Sequence, residues 1–243
     1  MADIHFMLQG KGGVGKSFIS AMFSQWKTAQ GEIPLCVDTD PVNHSLAGFK
    51  KLNVVALDIL TDQKINPRQF DLLVEQISKT TTDIIVDNGA SSFVPLCNYM
   101  LSNEVPDIIK RLNHRVIVHT VISGGFAMLD TINGFNALIS QFPPHTPFII
   151  WLNPYFGVIE DQERSFTDFK VYKTHSEKIT GMVQLPRMDK DTFGVDIEQM
   201  VKARETFEEA QLSKTYTLMT KERLKIFERK LFSAIEVGIA DLN

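Results

Sequence analysis

Cysteine is scarce in this chain, which has only Cys36 and Cys97 among its 243 residues. The two lie far apart in the sequence, without the short spacing of thiolate metal ligands, and both have apolar neighbours. We therefore expect two buried, unreactive thiols. An iron–sulfur carrier is disfavoured, because its cluster needs thiolate ligands on a shared surface.

Long apolar runs and an excess of positive charge are missing as well. The longest apolar runs, such as FIIWL at residues 148–152, are too short to span a bilayer. The N-terminus, MADIHFMLQG, has no basic segment ahead of an apolar core, as a signal peptide would have. A formal net charge of −4 indicates no broad basic face for nucleic acid, which leaves only a local patch open. We expect a soluble, cytoplasmic protein.

Short apolar segments alternate with amphipathic ones along most of the chain. This alternation predicts an α/β fold with a mostly parallel sheet and helices on both faces. A single domain is expected over residues 1–243, with residues 189–243 mostly helical. The predicted strands are Ile4–Leu8, Ile33–Val37, Ile84–Val86, Val116–Val121, Phe148–Leu152 and Met182–Leu185. The predicted helices are Lys16–Gln30, Pro67–Lys79, Phe93–Leu112, Phe126–Phe142 and Ser165–Thr174, with two more near the C-terminus.

A glycine-rich segment, GKGGVGKS at residues 10–17, follows the first predicted strand and opens the first predicted helix. This is the sequence and the context of a phosphate-binding loop, in which backbone N–H groups turn toward phosphate oxygens. Lys16 is expected to bridge the β- and γ-phosphates of ATP or ADP, and Ser17 to place its hydroxyl on Mg²⁺. A glycine turn that binds nothing is disfavoured, because motif, strand and helix agree. The candidate nucleotide-binding residues here are Gly10, Lys11, Gly12, Gly13, Val14, Gly15, Lys16, Ser17 and Phe18.

Acidic residues end two of the predicted strands. Asp38 and Asp40 follow the second strand, and alternation along a strand allows both to face the crevice where ligands bind to parallel sheets. Asp87 ends a buried strand and is expected to hold Mg²⁺ through water. For Asp40 the alternative is a simple Asp-Pro turn at the end of a strand.

The sequence also bears on the choice of base. In the segment FIIWLNPYFG, Asn153 lies at the end of a predicted strand, at a position where related folds recognise the base. The guanine-reading motif N-K-x-D occurs nowhere in the sequence. ATP is therefore favoured over GTP.

The segment KGGVGKS resembles the deviant Walker A sequence of the ParA/MinD class of P-loop ATPases. The resemblance implies that Lys11 reaches across a nucleotide-dependent homodimer to the partner's nucleotide; the alternative is a solvated loop lysine. It also implies that Asp40 positions the attacking water and that Asp38 lies near Mg²⁺. Lys11, Lys16 and Asp40 are then the candidate catalytic residues.

Two further segments bear on the same resemblance. QLPRMDK is similar to the segment beside the adenine pocket of ParA proteins, which makes Pro186 and Arg187 candidates for base binding, although Arg187 fits a surface arginine equally well. The residues after Asp87, Asn88–Ser91 (NGAS), depart from the family, which usually has proline there. The function of the loop after Asp87 is therefore not carried over.

Segments such as VDNGASSFVPL and WLNPY are not general ParA features, and they resemble the TraL family of IncP-type conjugative plasmids. That resemblance covers nearly the whole chain. It implies an ATPase accessory to conjugative transfer or plasmid positioning, with a protein partner in that machinery. Contact with DNA or membrane is left open.

The C-terminal segment TKERLKIFERKLFSAIEVGI has two interpretations. It places Leu224, Phe227, Leu231, Ile235 and Ile239 on one helical face, opposite a basic face. A membrane-surface helix has this pattern, and so does a helix that covers the sheet. The second interpretation is favoured, because acidic residues interrupt the basic face and tryptophan is absent from it.

Three alternative functions remain beside the dimerising ATPase. A small-molecule ligase or kinase on the same fold would need a substrate pocket. An iron–sulfur protein would need accessible thiolates. A nucleotide-binding scaffold would show little hydrolysis, against which Asp40 argues.

Overall fold

The computed structural model describes residues 1–242 of the chain. Within them the strands are β1 (Asp3–Met7), β2 (Leu35–Asp38), β3 (Val54–Ala56), β4 (Leu60–Thr61), β5 (Lys64–Ile65), β6 (Ile84–Asp87), β7 (Arg115–Ser123), β8 (Phe148–Asn153), β9 (Glu160–Asp161), β10 (Arg164–Ser165) and β11 (Ile179–Gln184). The α-helices are α1 (Lys16–Ala29), α2 (Asp71–Lys79), α3 (Phe93–Ser102), α4 (Val105–Arg111), α5 (Met128–Gln141), α6 (Lys170–His175), α7 (Val195–Ala203), α8 (Phe207–Leu212) and α9 (Leu218–Gly238).

Seven of these strands form one sheet in the spatial order β11-β8-β7-β1-β6-β2-β3. Every neighbouring pair in it is parallel. The short strands form two separate antiparallel hairpins, β4 with β5 and β9 with β10. The α/β class predicted from the sequence is confirmed, and all carboxyl ends of the sheet strands lie at one edge, where ligands of such folds bind.

Apolar cores lie on both faces of the sheet, because successive strand residues point to opposite sides. Ile4 and Phe6 belong to one core, with side chains of α2, α3, α4 and α5. Met7 belongs to the other core, with side chains of α1, α7, α8 and α9. Burial on both faces explains why the strands are almost continuously apolar.

The two cysteines lie in different cores, Cys36 in the second and Cys97 in the first. Burial raises the pKa of the Cys36 thiol to about 11 and that of Cys97 to about 12. Both thiols are therefore buried and protonated, as predicted. Their positions on opposite faces of the sheet give no shared surface for a metal cluster.

Several predicted boundaries were wrong. Ile33 is exposed, and its strand begins at Leu35. The single helix predicted over Phe93–Leu112 is two helices, broken where Glu104 takes a left-handed φ of 52°. The edge strand β3 was not predicted, because three residues with one exposed face carry little periodicity. Beyond Asp189, the described part has three α-helices instead of two.

The C-terminal helix α9 covers the sheet. Leu224, Phe227, Leu231 and Ile235 are all buried in the second core. The interpretation of its apolar face as part of the core is therefore confirmed. None of the helices in residues 1–242 combines the length and apolar content needed to cross a membrane.

Candidate nucleotide site

The phosphate-binding loop connects the end of β1 to the start of α1. Gly13 and Gly15 have φ of 74° and 102°, the left-handed region that only glycine enters at little cost. Helix α1 begins at Lys16, and no side chain of the described residues caps its first turn. The N–H groups of that turn are thus available to an anion, as the motif predicts.

Lys16 is buried beneath this loop. Its Nζ donates to the backbone carbonyl oxygen of Lys11 at 3.0 Å. Burial lowers the pKa of its ammonium group, while the charges of Asp87 and Asp40 oppose that shift. The ammonium group of Lys16 therefore lies beneath the loop and places a positive charge at its centre.

Lys11 has a different environment from Lys16. Its side chain is 38% exposed, and its Nζ lies 2.8 Å from Oδ2 of Asp130, which is 57% exposed. Asp130 is in the first turn of α5. The structure thus pairs Lys11 with its own chain at the rim of the site, and an ion pair this exposed contributes little stability.

Asp87 ends β6 in a fully buried position beside α1. Its Oδ1 accepts a hydrogen bond from the Ser20 hydroxyl at 2.8 Å, and its Oδ2 has no hydrogen-bond partner among the described residues. Burial raises the pKa of Asp87 to about 6, while the nearby hydroxyls of Ser17 and Ser20 favour the charged form and oppose this shift. A buried carboxylate oxygen without a partner, next to a serine hydroxyl, fits the outer shell of Mg²⁺. Ser17 and Asp87 are the residues that would hold the ion.

Asp38 and Asp40 organise the loop that follows β2. Oδ2 of Asp38 accepts from the backbone N–H groups of Leu46 and Ala47, at 3.0 and 2.9 Å, and its Oδ1 accepts from the N–H of Asp40 at 3.0 Å. Asp38 is fully buried, and its three hydrogen bonds stabilise the conformation of this loop. That Asp38 lies near a metal ion stays a prediction.

A cavity of about 910 Å³ opens beside the phosphate loop. Among the side chains that line it are four of the residues predicted from the sequence to bind nucleotide, namely Phe18, Asn153, Pro186 and Arg187. These come from α1, the end of β8 and the segment after β11. The cavity adjoins the phosphate loop at Gly13 and Gly15, and its size is typical of small-molecule sites.

Asn153 is hydrogen-bonded at both ends of its amide. Its Nδ2 donates to the carbonyl oxygen of Val14 at 2.9 Å, and its Oδ1 accepts from the N–H of Tyr155 at 3.1 Å. Val14 is in the phosphate loop, so Asn153 fastens that loop to the end of β8. One N–H and one lone pair of the amide remain for a base.

A second group of acidic and histidine ligands has to be distinguished from this site. Asp3, His5 and Asp83 are close enough to share an ion. Arg115 lies 2.6 Å from Asp3, however, and Lys27 lies 2.6 Å from Asp83. Each carboxylate is already neutralised by a cation, so the group is an ion-pair network at the opposite end of β1.

Comparison with known proteins places the chain in a family. Protein TraL of Escherichia coli is 47% identical over 238 residues, covering 98% of this chain and 99% of that protein. The chain belongs to the TraL family. Residues 4–61 of this TraL-family chain, which include the phosphate loop, also match the family described as ArsA_ATPase, anion-transporting ATPase.

Solved structures show the fold of the TraL-family chain in distant proteins. The MinD cell division protein of Aquifex aeolicus has 16% identity and a TM-score of 0.51, covering 96% of this chain and 98% of that one. A plasmid partition protein of Borrelia burgdorferi bound to AMPPNP has 15% identity and a TM-score of 0.50, covering 95% and 100%. The TraL-family chain is therefore a P-loop protein with the fold of the ParA/MinD class.

Sequence reasoning missed three residues of the TraL-family site. Gln9 donates from Nε2 to the carbonyl oxygens of Val121 and Thr131, and its Oε1 accepts from the N–H of Lys11. Asp130 pairs with Lys11, and Gly89 lies against Asp40. Gln9 directly precedes the phosphate loop in the sequence, and this position could have identified it as a residue of the site. Asp130 lies far along the chain in a segment without a recognisable pattern, and Gly89 lies in the segment after Asp87 whose function was not carried over from the family.

Proposed function

We propose that this TraL-family chain is a cytoplasmic switch that binds and hydrolyses Mg-ATP and dimerises in the ATP-bound state. Its setting would be conjugative plasmid transfer or plasmid positioning, with a protein of that machinery reading the ATP state. The observation that carries the proposal is Lys11, the lysine of the phosphate loop that the phosphate-binding motif itself does not require. Lys16 is buried and serves the loop itself, whereas Lys11 stands partly exposed at the rim, where a partner's nucleotide can reach it.

The hydrolytic chemistry follows from the positions of the charged groups. Lys16 and the N–H groups of the loop would bind the phosphates, and Mg²⁺ held by Ser17 and Asp87 would neutralise charge on the β- and γ-phosphates. Asp40 would accept a hydrogen bond from the attacking water. The water oxygen bonds to the γ-phosphorus while the bond to the bridging oxygen breaks, and ADP, phosphate and one proton leave. Positioning and charge stabilisation account for most of such catalysis.

The edge of the sheet that carries the site also carries exposed apolar side chains. The Phe126 and Phe156 rings lie 4.8 Å apart, and the Phe156 and Tyr155 rings 4.9 Å apart. The Phe126 side chain is 75% exposed. We call this surface the apolar rim, and it consists of Phe126, Leu129, Tyr155, Phe156 and Val158. It follows β7 and β8, next to Asp130 and Lys11, and a second copy facing Lys11 would cover it.

Light scattering with a slowly hydrolysed ATP analogue tests the proposal. The wild-type chain should double in mass with the analogue, and Lys11→Ala should stay monomeric while it still binds nucleotide. Lys79→Ala is the matched control, because Lys79 is an exposed lysine on α2 with its own carboxylate partner, Glu75. It should dimerise like the wild type.

A second variant tests the apolar rim. Phe126→Ser should also block the ATP-dependent dimer, whereas Val237→Ser, at an exposed apolar position on α9, should not. A wild-type chain that stays monomeric with every nucleotide would overturn the proposed dimer. Turnover stimulated by one small metabolite would then point to a ligase or kinase.

A further inference from the structure

Gly89 lies directly against the side chain of Asp40. A Cβ atom placed on Gly89 would stand 2.5 Å from Cγ, 2.7 Å from Oδ1 and 2.8 Å from Cβ of Asp40. These distances are too short for any real contact, and they involve the root of the side chain as well as its end. The φ of Gly89 is not in the left-handed region. The contact with Asp40, and not the backbone conformation, therefore requires glycine here.

Hydrogen bonds from its own loop hold Asp40 on the other side. Its Oδ1 accepts from the N–H groups of Val42 and Asn43, at 3.0 and 3.3 Å, and its Oδ2 accepts from Nδ2 of Asn43 at 3.1 Å. Asp40 is buried. It cannot move away from Gly89 without losing bonds that a buried carboxylate needs.

Asn88 ties the loop after β6 to the loop after β2. Its Oδ1 accepts from the Ser92 hydroxyl at 2.8 Å and lies 3.2 Å from the Thr39 hydroxyl, while its Nδ2 donates to the carbonyl oxygen of Gly89 at 3.0 Å. Both Asn88 and Ser92 are fully buried. The backbone of Gly89 is therefore fixed at the place where it supports Asp40.

We propose that Gly89 is a positioning residue for hydrolysis, which acts by leaving room for the Asp40 carboxylate at the γ-phosphate side of the site. This inference rests on the proposed function, in which Asp40 orients the attacking water. It also gives a physical meaning to the segment Asn88–Ser91 (NGAS): a residue with a Cβ at position 89 would displace the carboxylate on which turnover depends.

Steady-state ATP hydrolysis by Gly89→Ala tests the inference. We expect kcat to fall at least about tenfold, because a small misplacement of a positioned group commonly costs that much. KM should stay within about twofold, since the residues that bind the phosphates and base are untouched. Ser91→Ala, an exposed change in the same loop, is the control and should keep the wild-type kcat.

A double-mutant cycle separates a positioning role from a general structural one. If Gly89 acts through Asp40, adding Gly89→Ala to Asp40→Ala should lower kcat by less than about twofold further. The inference would be overturned if Gly89→Ala lowered kcat by the same factor in the wild type and in Asp40→Ala. An unchanged kcat of Gly89→Ala would overturn it as well.

The carboxyl ¹³C resonance of Asp40 provides a readout that needs no turnover. It can be assigned by comparison with Asp40→Asn, and it should shift in Gly89→Ala but not in Ser91→Ala. A wild-type chain without ATPase activity would refute the proposed function, and the shift would still decide whether Gly89 positions Asp40. Coincident spectra of the wild type and Gly89→Ala would refute the contact itself.

Discussion

The ammonium group of Lys11 lies 2.8 Å from a carboxylate oxygen of Asp130, far along the same chain. The pair joins the phosphate loop to the first turn of α5, and both side chains are open to solvent. Such a pair contributes at most about 1 kcal/mol, so a second copy with a bound nucleotide can displace it. The contact keeps Lys11 at the rim of the site but is weak enough for Lys11 to leave Asp130 and bind another anion.

Asp130→Asn should make ATP-dependent dimerisation easier. The change frees Lys11 from its partner in the same chain. Each of the two copies loses up to about 1 kcal/mol of competing interaction, so the concentration for half-dimerisation should fall by up to about thirtyfold. Sedimentation or light scattering over a concentration series measures this. Asp161→Asn, which breaks the exposed pair with Arg164, is the control and should change nothing. Weaker dimerisation of Asp130→Asn would instead mean that this carboxylate helps to bind the second copy.

Asn153→Ala should weaken the binding of all nucleoside triphosphates alike. Asn153 holds the Val14 carbonyl of the phosphate loop, so its loss should loosen the phosphate site whatever the base. Affinities for ATP, GTP and inorganic tripolyphosphate, measured by calorimetry, should fall by similar factors. A loss confined to ATP would show that base recognition is the main role of Asn153.

Binding of Mg-ATP should strengthen as pH rises through about 6. Burial raises the pKa of Asp87 to about 6, and a proton on this carboxylate competes with the metal ion. One pH unit below that pKa, the Mg²⁺-dependent part of the affinity should be about tenfold weaker. Titrations with and without Mg²⁺ at several pH values measure it. Asp87→Asn should leave only the pH dependence that the terminal phosphate of ATP contributes. Ser17→Ala should weaken Mg²⁺ binding and keep the part of the pH dependence that comes from Asp87.

A buried pair of histidines makes the fold sensitive to acid. Nε1 of Trp151 donates to Nδ1 of His119 at 2.9 Å, so Nε2 of His119 carries the proton that is shared with Nδ1 of His5 at 2.8 Å. Both rings are therefore neutral. Burial lowers the pKa of both histidines. For His119 a proton on His5 and the charge of Lys27 act in the same direction, whereas for His5 the carboxylate of Asp83, 3.9 Å from its Nε2, opposes the shift.

The free energy of unfolding should fall as pH drops below about 6.5. Below that pH the histidines of the unfolded chain take up protons, while the buried histidines of the folded chain stay neutral. The free energy of unfolding then falls by up to about 1.4 kcal/mol per pH unit for each ring. Asp87 acts in the opposite sense, because its raised pKa favours the folded state at low pH. Urea unfolding at neutral and mildly acidic pH should show about half the acid-induced loss in His119→Gln, whose amide can keep both hydrogen bonds. An equal loss in the variant would locate the acid sensitivity elsewhere.

The phosphate-binding loop and the strand-end acids were predictable because their signals are local. Gly13 and Gly15 specify backbone conformations that other residues avoid, and Asp87 is the last residue of a short buried strand. The two hairpins were not predicted for a related reason. Their turns place Asp62, Gln63, Gln162 and Glu163 at positive φ, where an Asn-Gly signal would normally mark such a turn.

The sequence by itself determined the α/β class, the phosphate loop with its two lysines, and the burial of both cysteines, because periodicity and short motifs depend on neighbours in the chain. Only the tertiary structure decided that Lys11 meets Asp130, that Asn153 fastens Val14, and that Gly89 supports Asp40. Each of these contacts joins residues at or beyond the carboxyl ends of different strands. A parallel sheet brings such residues to one edge, and no periodicity in the chain records which side chains will then touch.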